Sequence, residues 1–237
     1  MPRLPRILGN LMEFMFTKVN VDSTEMTGPN LKTVRFKGTF PNVKFKTGQA
    51  IIIRVDDTNY RNYTPSAWDS DSGTFDVIFH IHGNGPGSHF IENLKSGDQV
   101  SIGLPRGFNI YRQAEKYHFF FGDESCISVF KSLKDQINYD NNNYLGVLEL
   151  DNASFGAPEK LGLAVDIVSK SEKKAEFAIN ALNKLESSVW ELWRGGVFYL
   201  MGNARSIQTF TKALKEKGVQ SKNIYSQPFW VEGKTGL

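Results

Sequence analysis

One cysteine, Cys126, stands in a chain of 237 residues. A lone thiol closes no internal disulfide, and it supplies neither a cysteine-rich zinc site nor a cysteine-ligated iron–sulfur cluster. Such sparing use of cysteine fits a reducing compartment, so the expected location is cytoplasmic. Charge of one sign is scarce as well. The formal net charge is +3, and Lys and Arg are spread along the chain rather than blocked. That balance argues against a nucleic-acid binder, although a local basic rim remains compatible with it. The apolar stretch within Met1–Phe16 is short, carries Glu13 and is followed by no small-residue cleavage site. It reads as an amphipathic opening helix, with neither a signal sequence nor a membrane span expected. Internal repeats and low-complexity tracts are missing too.

The residues present are those of a globular protein, 40% hydrophobic and 22% charged, in a chain long enough for two cores. The first half reads as strands. Thr33–Lys37, Gln49–Val55, Phe75–Ile81 and Gln99–Ile102 show period-two or buried apolar patterns, separated by Gly, Asp and Pro clusters. They predict an antiparallel sheet or closed barrel. The second half changes character. Tyr117–Phe121, Tyr144–Leu150, Leu163–Val168 and Val197–Met201 read as strands, and 127–137, 171–185 and 207–214 as helices. That alternation implies a mostly parallel sheet with helices on its faces. The expected fold class is therefore β followed by α/β. The boundary lies in the polar stretch Tyr111–Lys116, giving domains over 1–112 and 113–237.

Two constellations carry chemistry. The first is Arg61-Asn-Tyr-Thr64. An arginine offers a fixed fork of donors to phosphate, a tyrosine ring can lie against another ring, and a threonine hydroxyl can donate to a ring nitrogen. The second is His82-Gly-Asn-Gly-Pro-Gly-Ser88, directly after a strand. Its Gly83, Gly85 and Gly87 let backbone N–H groups approach an anion, and the short helix suggested by Phe90, Ile91 and Leu94 would add its own N-terminus. Together they point to a phosphate-bearing ligand.

In order along the chain, these motifs, then Ser96-Gly-Asp98, Gly103-Leu-Pro-Arg-Gly107, Phe121-Gly-Asp-Glu-Ser-Cys126, Met201-Gly-Asn-Ala204 and Pro228-Phe-Trp-Val-Glu-Gly233, resemble the siderophore-interacting proteins. These belong to the ferredoxin-reductase superfamily. The resemblance implies an N-terminal antiparallel FAD-binding β-barrel and a C-terminal α/β domain that binds NADPH or NADH. It implies that Arg61 holds the FAD diphosphate, Tyr63 packs on the isoalloxazine, and Thr64 bonds near its reactive nitrogen as the catalytic contact. His82, Gly83, Gly85, Pro86, Gly87 and Ser88 would serve the rest of FAD. Gly122, Asp123, Glu124, Ser125, Gly202, Asn203 and Ala204 would form the nicotinamide-nucleotide cleft. The implied reaction takes hydride from NAD(P)H and passes single electrons to a ferric siderophore, releasing iron(II). Another acceptor, such as a quinone, a ferredoxin-like protein or another small molecule, is the alternative. A monomer is expected.

The chain departs from the family pattern in places. Phe90 stands where a Trp is usual, the His82 loop is one residue short, Asn203 replaces a Glu, and Val231 replaces a Lys or Arg. Attraction of an anionic iron complex then falls to Lys234, beside Trp230. Trp230 is either an aromatic wall for the acceptor or an anchor for the C-terminal segment. His80 and His82 share a strand face, but no third ligand follows by spacing, so no metal site is expected. Cys126 is expected as a small buried residue. Asp151 ends a strand where an acid can bind a ribose, but without the dinucleotide fingerprint it does not choose between nucleotides. Trp190, Trp193 and Phe198 are expected in the core or at the domain interface rather than at a ligand.

Overall fold

The computed structural model describes residues 16–40 and 42–233. The expected opening helix and Lys234 lie outside the described residues. The chain divides into two compact units between Ile110 and Tyr111. Among the described residues, no helix is long and apolar enough to cross a membrane.

Among its described residues, the first unit is built from seven antiparallel strands. These are β1 (Phe16–Gly28), β2 (Leu31–Lys37), β3 (Ala50–Arg54), β4 (Tyr60–Tyr63), β5 (Ala67–Asp69), β6 (Thr74–His80) and β7 (Gln99–Arg106), with the sheet order β4-β3-β7-β1-β2-β6-β5. Period-two side chains put one face of each strand inside a curled barrel. Val19, Val34, Phe36, Ile51, Ile53, Phe75, Val77, Phe79, Val100 and Ile102 form that core. Helix α1 (Pro86–Asn93) follows the His82 loop. It adds Ile91 to the same core.

Lys32 breaks the alternation of β2, because it is buried beside Leu31. Its ammonium donates to the carbonyls of Ile91, Glu92 and Leu94 at 3.0, 2.9 and 2.6 Å. The last carbonyls of a helix have no intrahelical donor, and a cation there also complements the helix dipole. Lys32 thus holds the C-terminal end of α1 to the sheet, and burial lowers its pKa against the opposing fields of Glu92 and Asp98.

The second unit is an α/β layer structure. Its strands are β8 (Tyr117–Gly122), β9 (Asn143–Leu150), β10 (Asp166–Ser169), β11 (Val197–Asn203) and β12 (Ile224–Trp230). Every pairing is parallel, in the order β10-β9-β8-β11-β12. The helices are α2 (Ile127–Tyr139), a short α3 (Ala157–Lys160), α4 (Glu176–Asn183), α5 (Ser187–Trp193) and α6 (Ala204–Glu216). Central strands of a parallel sheet are covered on both faces, so they carry continuous apolar runs. In β8, Phe120 stacks on Phe130 of α2 at 4.8 Å, while Phe121 stacks on Phe210 of α6 at 4.0 Å.

One local expectation is corrected, and two further elements had no expectation in the sequence. The helix expected over 171–185 begins only at Glu176, because Ala175 takes a left-handed conformation, φ 63°. Ser187–Trp193 forms a separate helix, with Trp193 buried and Trp190 under the Lys217 ammonium at 5.3 Å. The segment around Pro228 is an edge strand, where a proline removes no needed ladder bond.

Candidate functional site

Candidate ligand-holding groups occur in each unit. In the first, Arg61 and Tyr63 lie two apart on β4 and so share a face. Among the described residues Arg61 has no carboxylate partner, and its Nη1 donates to the carbonyl of Tyr60 at 2.8 Å. Tyr63 packs edge-on against Phe79 at 4.6 Å. Burial pushes its phenol up to about 12, so it stays protonated at neutral pH. Thr64 follows directly, half-buried.

Gly87, in the first turn of α1, meets both side chains. A Cβ there would sit 3.0 Å from the Tyr63 hydroxyl and 3.2 Å from Arg61 Cγ. Glycine is therefore what lets the helix start approach this pair. The His82 loop uses some of its own donors. His82 N and Gly83 N donate to Ser88 Oγ at 3.0 and 3.1 Å, and Asn84 N donates to His82 Nδ1 at 3.3 Å. The remaining donors include the N–H groups of Gly87 and Ser88, which a helix start leaves without an intrahelical acceptor. Gly85 caps the helix with no side-chain bond, and Pro86 opens it. An arginine without a carboxylate partner, a helix N-terminus beside it and a close approach kept open by glycine fit a diphosphate next to an aromatic ring. His80 and His82 lie 5.8 Å apart by ring centroid, and burial lowers the His82 pKa.

In the second unit the expected cleft residues gather at the carboxyl ends of β8 and β11. They are tied first to one another. Asp123 Oδ1 accepts from Ser125 N at 2.9 Å and Ser125 Oγ at 2.5 Å. Its Oδ2 accepts from Asn203 N at 2.9 Å and from Trp230 Nε1 at 2.8 Å. Gly202 keeps φ 101°, and a Cβ there would meet Asp123 Oδ2 at 2.4 Å, so no side chain fits. Asn203 Oδ1 caps α6 by accepting from Arg205 N and Ser206 N. Among the described residues its Nδ2 is buried without a partner. Cys126 is fully buried, and burial together with the Asp123 charge pushes its thiol well up, which rules out a reactive thiolate.

Glu124 is 1% exposed. Its Oε1 accepts from Asp151 N at 2.6 Å. Its Oε2 makes no well-aligned hydrogen bond, but the Lys170 ammonium lies 2.7 Å away and also reaches Asp151 Oδ2 at 2.9 Å. Burial raises the Glu124 pKa, with Lys170 opposing. Burial works against the Lys170 charge too, yet the bonds and fields of Glu124 and Asp151 raise its pKa overall. Lys170 and the buried Glu149 escape sequence reasoning, because each is given meaning only by partners distant in the chain. Their one local signal is position, at or just past a strand end.

Residues 18–111 match the family model of the oxidoreductase FAD-binding domain. The NADH-cytochrome b5 reductase 1 of Mycosarcoma maydis is 27% identical over 172 residues, 66% of this chain. The match spans 48% of that relative, about half its length. Among solved structures, a siderophore utilization protein from T. fusca superposes with a TM-score of 0.75 at 17% identity, over 94% of this chain and 95% of the other. The siderophore-interacting protein of Aeromonas hydrophila gives 0.71 at 18% identity, over 93% of each. The chain thus pairs a segment that matches the oxidoreductase FAD-binding domain with a parallel α/β unit. The fold resemblance read from the sequence motifs is matched by the siderophore-interacting structures.

Proposed function

We propose that the protein is an FAD-dependent reductase that oxidises NADH or NADPH and delivers electrons to a ferric siderophore. The observation that carries the flavin part is Gly87, which seats the start of α1 against Arg61 and Tyr63. Arg61 and the first N–H groups of α1 would bind the diphosphate, Tyr63 would lie against the ring system, and Thr64 would donate to its edge. When bound, FAD accepts a hydride and releases electrons singly, the chemistry that belongs to the cofactor. The chain's own residues bind and orient. The nucleotide would lie at the carboxyl ends of β8 and β11, where the strand order reverses. Gly122–Ser125 and Gly202–Ala204 would shape that floor, with Asp123 holding it rigid. The balance is one NAD(P)H and two ferric ions giving NAD(P)+, two ferrous ions and one proton.

The test is anaerobic mixing of flavin-loaded protein with NADH and NADPH, followed by ferric chelates and a ferrous-specific dye. Bleaching of the flavin band and then dye colour are expected. No bleaching with either nucleotide would remove the reductase reading. The likeness to a cytochrome b5 reductase favours a second reading, reduction of another acceptor. Rapid turnover with a quinone or a small redox protein, and none with any ferric chelate, would select it. The tie of Trp230 to Asp123 favours the anchor role for this residue over an acceptor wall. Lys234 remains the proposed attraction for an anionic chelate, an effect that added salt should screen.

A further inference from the structure

We propose that Asp151 and Lys170 make the nucleotide site select NADH over NADPH. The inference rests on the reading that a nicotinamide nucleotide binds at the carboxyl edge of the parallel sheet.

In an open parallel sheet the chain leaves the central strand in one direction, then crosses over to the other. Here β8 leads outward to β9 and β10 before the chain returns to β11. A dinucleotide at such a crossing sets one half over the first group of strands, and an acid at a strand end there binds the adenosine ribose hydroxyls. Asp151 is the first residue after β9, and Lys170 is the first after β10. The Asp151 side chain is 53% exposed, so its carboxylate is open to a ligand.

NADPH differs by a phosphate on that ribose, so its recognition needs an available cation at this edge. Among the described residues Lys170 is the cation paired with Asp151, and it is committed. It holds Asp151 on one side and the buried Glu124 on the other. Turning Lys170 toward a phosphate would leave Glu124 Oε2 as a buried carboxylate oxygen without its counter-charge, an outcome that is strongly unfavourable. Among the described residues the other cations of the edge are also paired. Lys174 and Arg205 meet Glu232, and Lys173 meets Glu176. One ammonium between two carboxylates leaves the Glu124–Lys170–Asp151 cluster with net negative charge. A ribose diol can donate to the open Asp151 carboxylate, whereas a phosphate there meets like charge.

The experiment is calorimetric titration of the flavin-loaded protein with NAD+ and NADP+, and with 5'-AMP and 2'-phospho-5'-AMP, which isolate the discriminating group. Wild type should bind the unphosphorylated ligand of each pair at least about tenfold more tightly, since like charges in contact are strongly disfavoured. Asp151→Asn, checked by thermal unfolding to be folded, should bring that ratio below about threefold by removing the open negative charge. Equal or tighter binding of the 2'-phosphorylated ligands by wild type would overturn the inference and leave the nucleotide site standing. So would an unchanged ratio in Asp151→Asn. Binding of none of the four ligands would overturn the nucleotide site itself, and the inference with it.

Discussion

Trp230 Nε1 donates to Asp123 Oδ2 at 2.8 Å, tying the end of β12 to the first residue after β8, across the end of β11 that lies between them. Asn203 N uses the same oxygen. Trp230→Phe keeps the ring and removes the donor. A hydrogen bond to a charged group contributes about 2 kcal/mol. The melting temperature should therefore fall by roughly 4–8 °C for a protein of this size. Thermal unfolding followed by circular dichroism checks this, and an unchanged melting temperature would mean that the bond braces nothing.

Arg61→Ala should weaken FAD binding without unfolding the barrel. Loss of a charge-assisted phosphate contact is on the order of 2 kcal/mol, which raises the Kd about thirtyfold. Flavin fluorescence on titration of apoprotein measures it. Retention of wild-type affinity would take Arg61 out of the site.

Gly87→Ala tests the close approach independently of charge. The new Cβ would press on the Tyr63 hydroxyl and on Arg61. Overpacking of this kind costs about 1–3 kcal/mol. The expected result is a Kd for FAD raised about tenfold, with a smaller change in melting temperature. Gly87→Val should raise it further. Equal affinity in both variants would show that α1 starts clear of the ligand.

Glu149 supplies a pH test. Burial raises its pKa above the usual 4.5, although bonds from Ser206 and the Ala175 backbone oppose that shift. Between the usual value and the raised one, the native state holds a proton that the unfolded chain has released. Stability from this group therefore falls as pH rises through that window. Glu149→Gln does not titrate, so wild type should lose stability relative to the variant on going from acid toward neutral pH. Denaturant unfolding at a series of pH values reads the difference. A constant gap, or one that moves the other way, would contradict the assignment.

Much of the architecture is legible in the chain. Phe75, Val77 and Phe79 alternate as a barrel strand should, and Phe119–Phe121 form the continuous apolar run of a doubly covered strand. What escapes depends on distant partners or on local backbone. Ser171–Lys174 has helical composition but bends back on itself, with Ser171 Oγ donating to Lys173 O, and the helix waits for Ala175. β12 hides behind Pro228, which only an edge position tolerates. The Arg61 and His82 motifs stand out because the phosphate binding proposed for them needs particular residue types close together in sequence. Asp123 is readable as part of a glycine-led motif, but its role as acceptor for Ser125, Asn203 and Trp230 is not. That role depends on strands from three separate parts of the chain.

Lys32 faces no ligand, yet it fixes the far end of the helix whose beginning meets Arg61 and Tyr63. The grip proposed for that helix start on an anion is therefore adjustable from behind. A neutral side chain of similar length at position 32 would strand the carbonyls of Glu92 and Leu94, leave Ile91 O only its bond from Leu94 N, and loosen α1 from the sheet, and the donors at its start would then lose their fixed aim. Retention of the proposed cofactor and barrel stability would decline together, although none of the residues proposed to touch it had changed. A survey of variants confined to the binding surface would overlook this lever, which acts through the tether of a helix and not through any contact with what the helix holds.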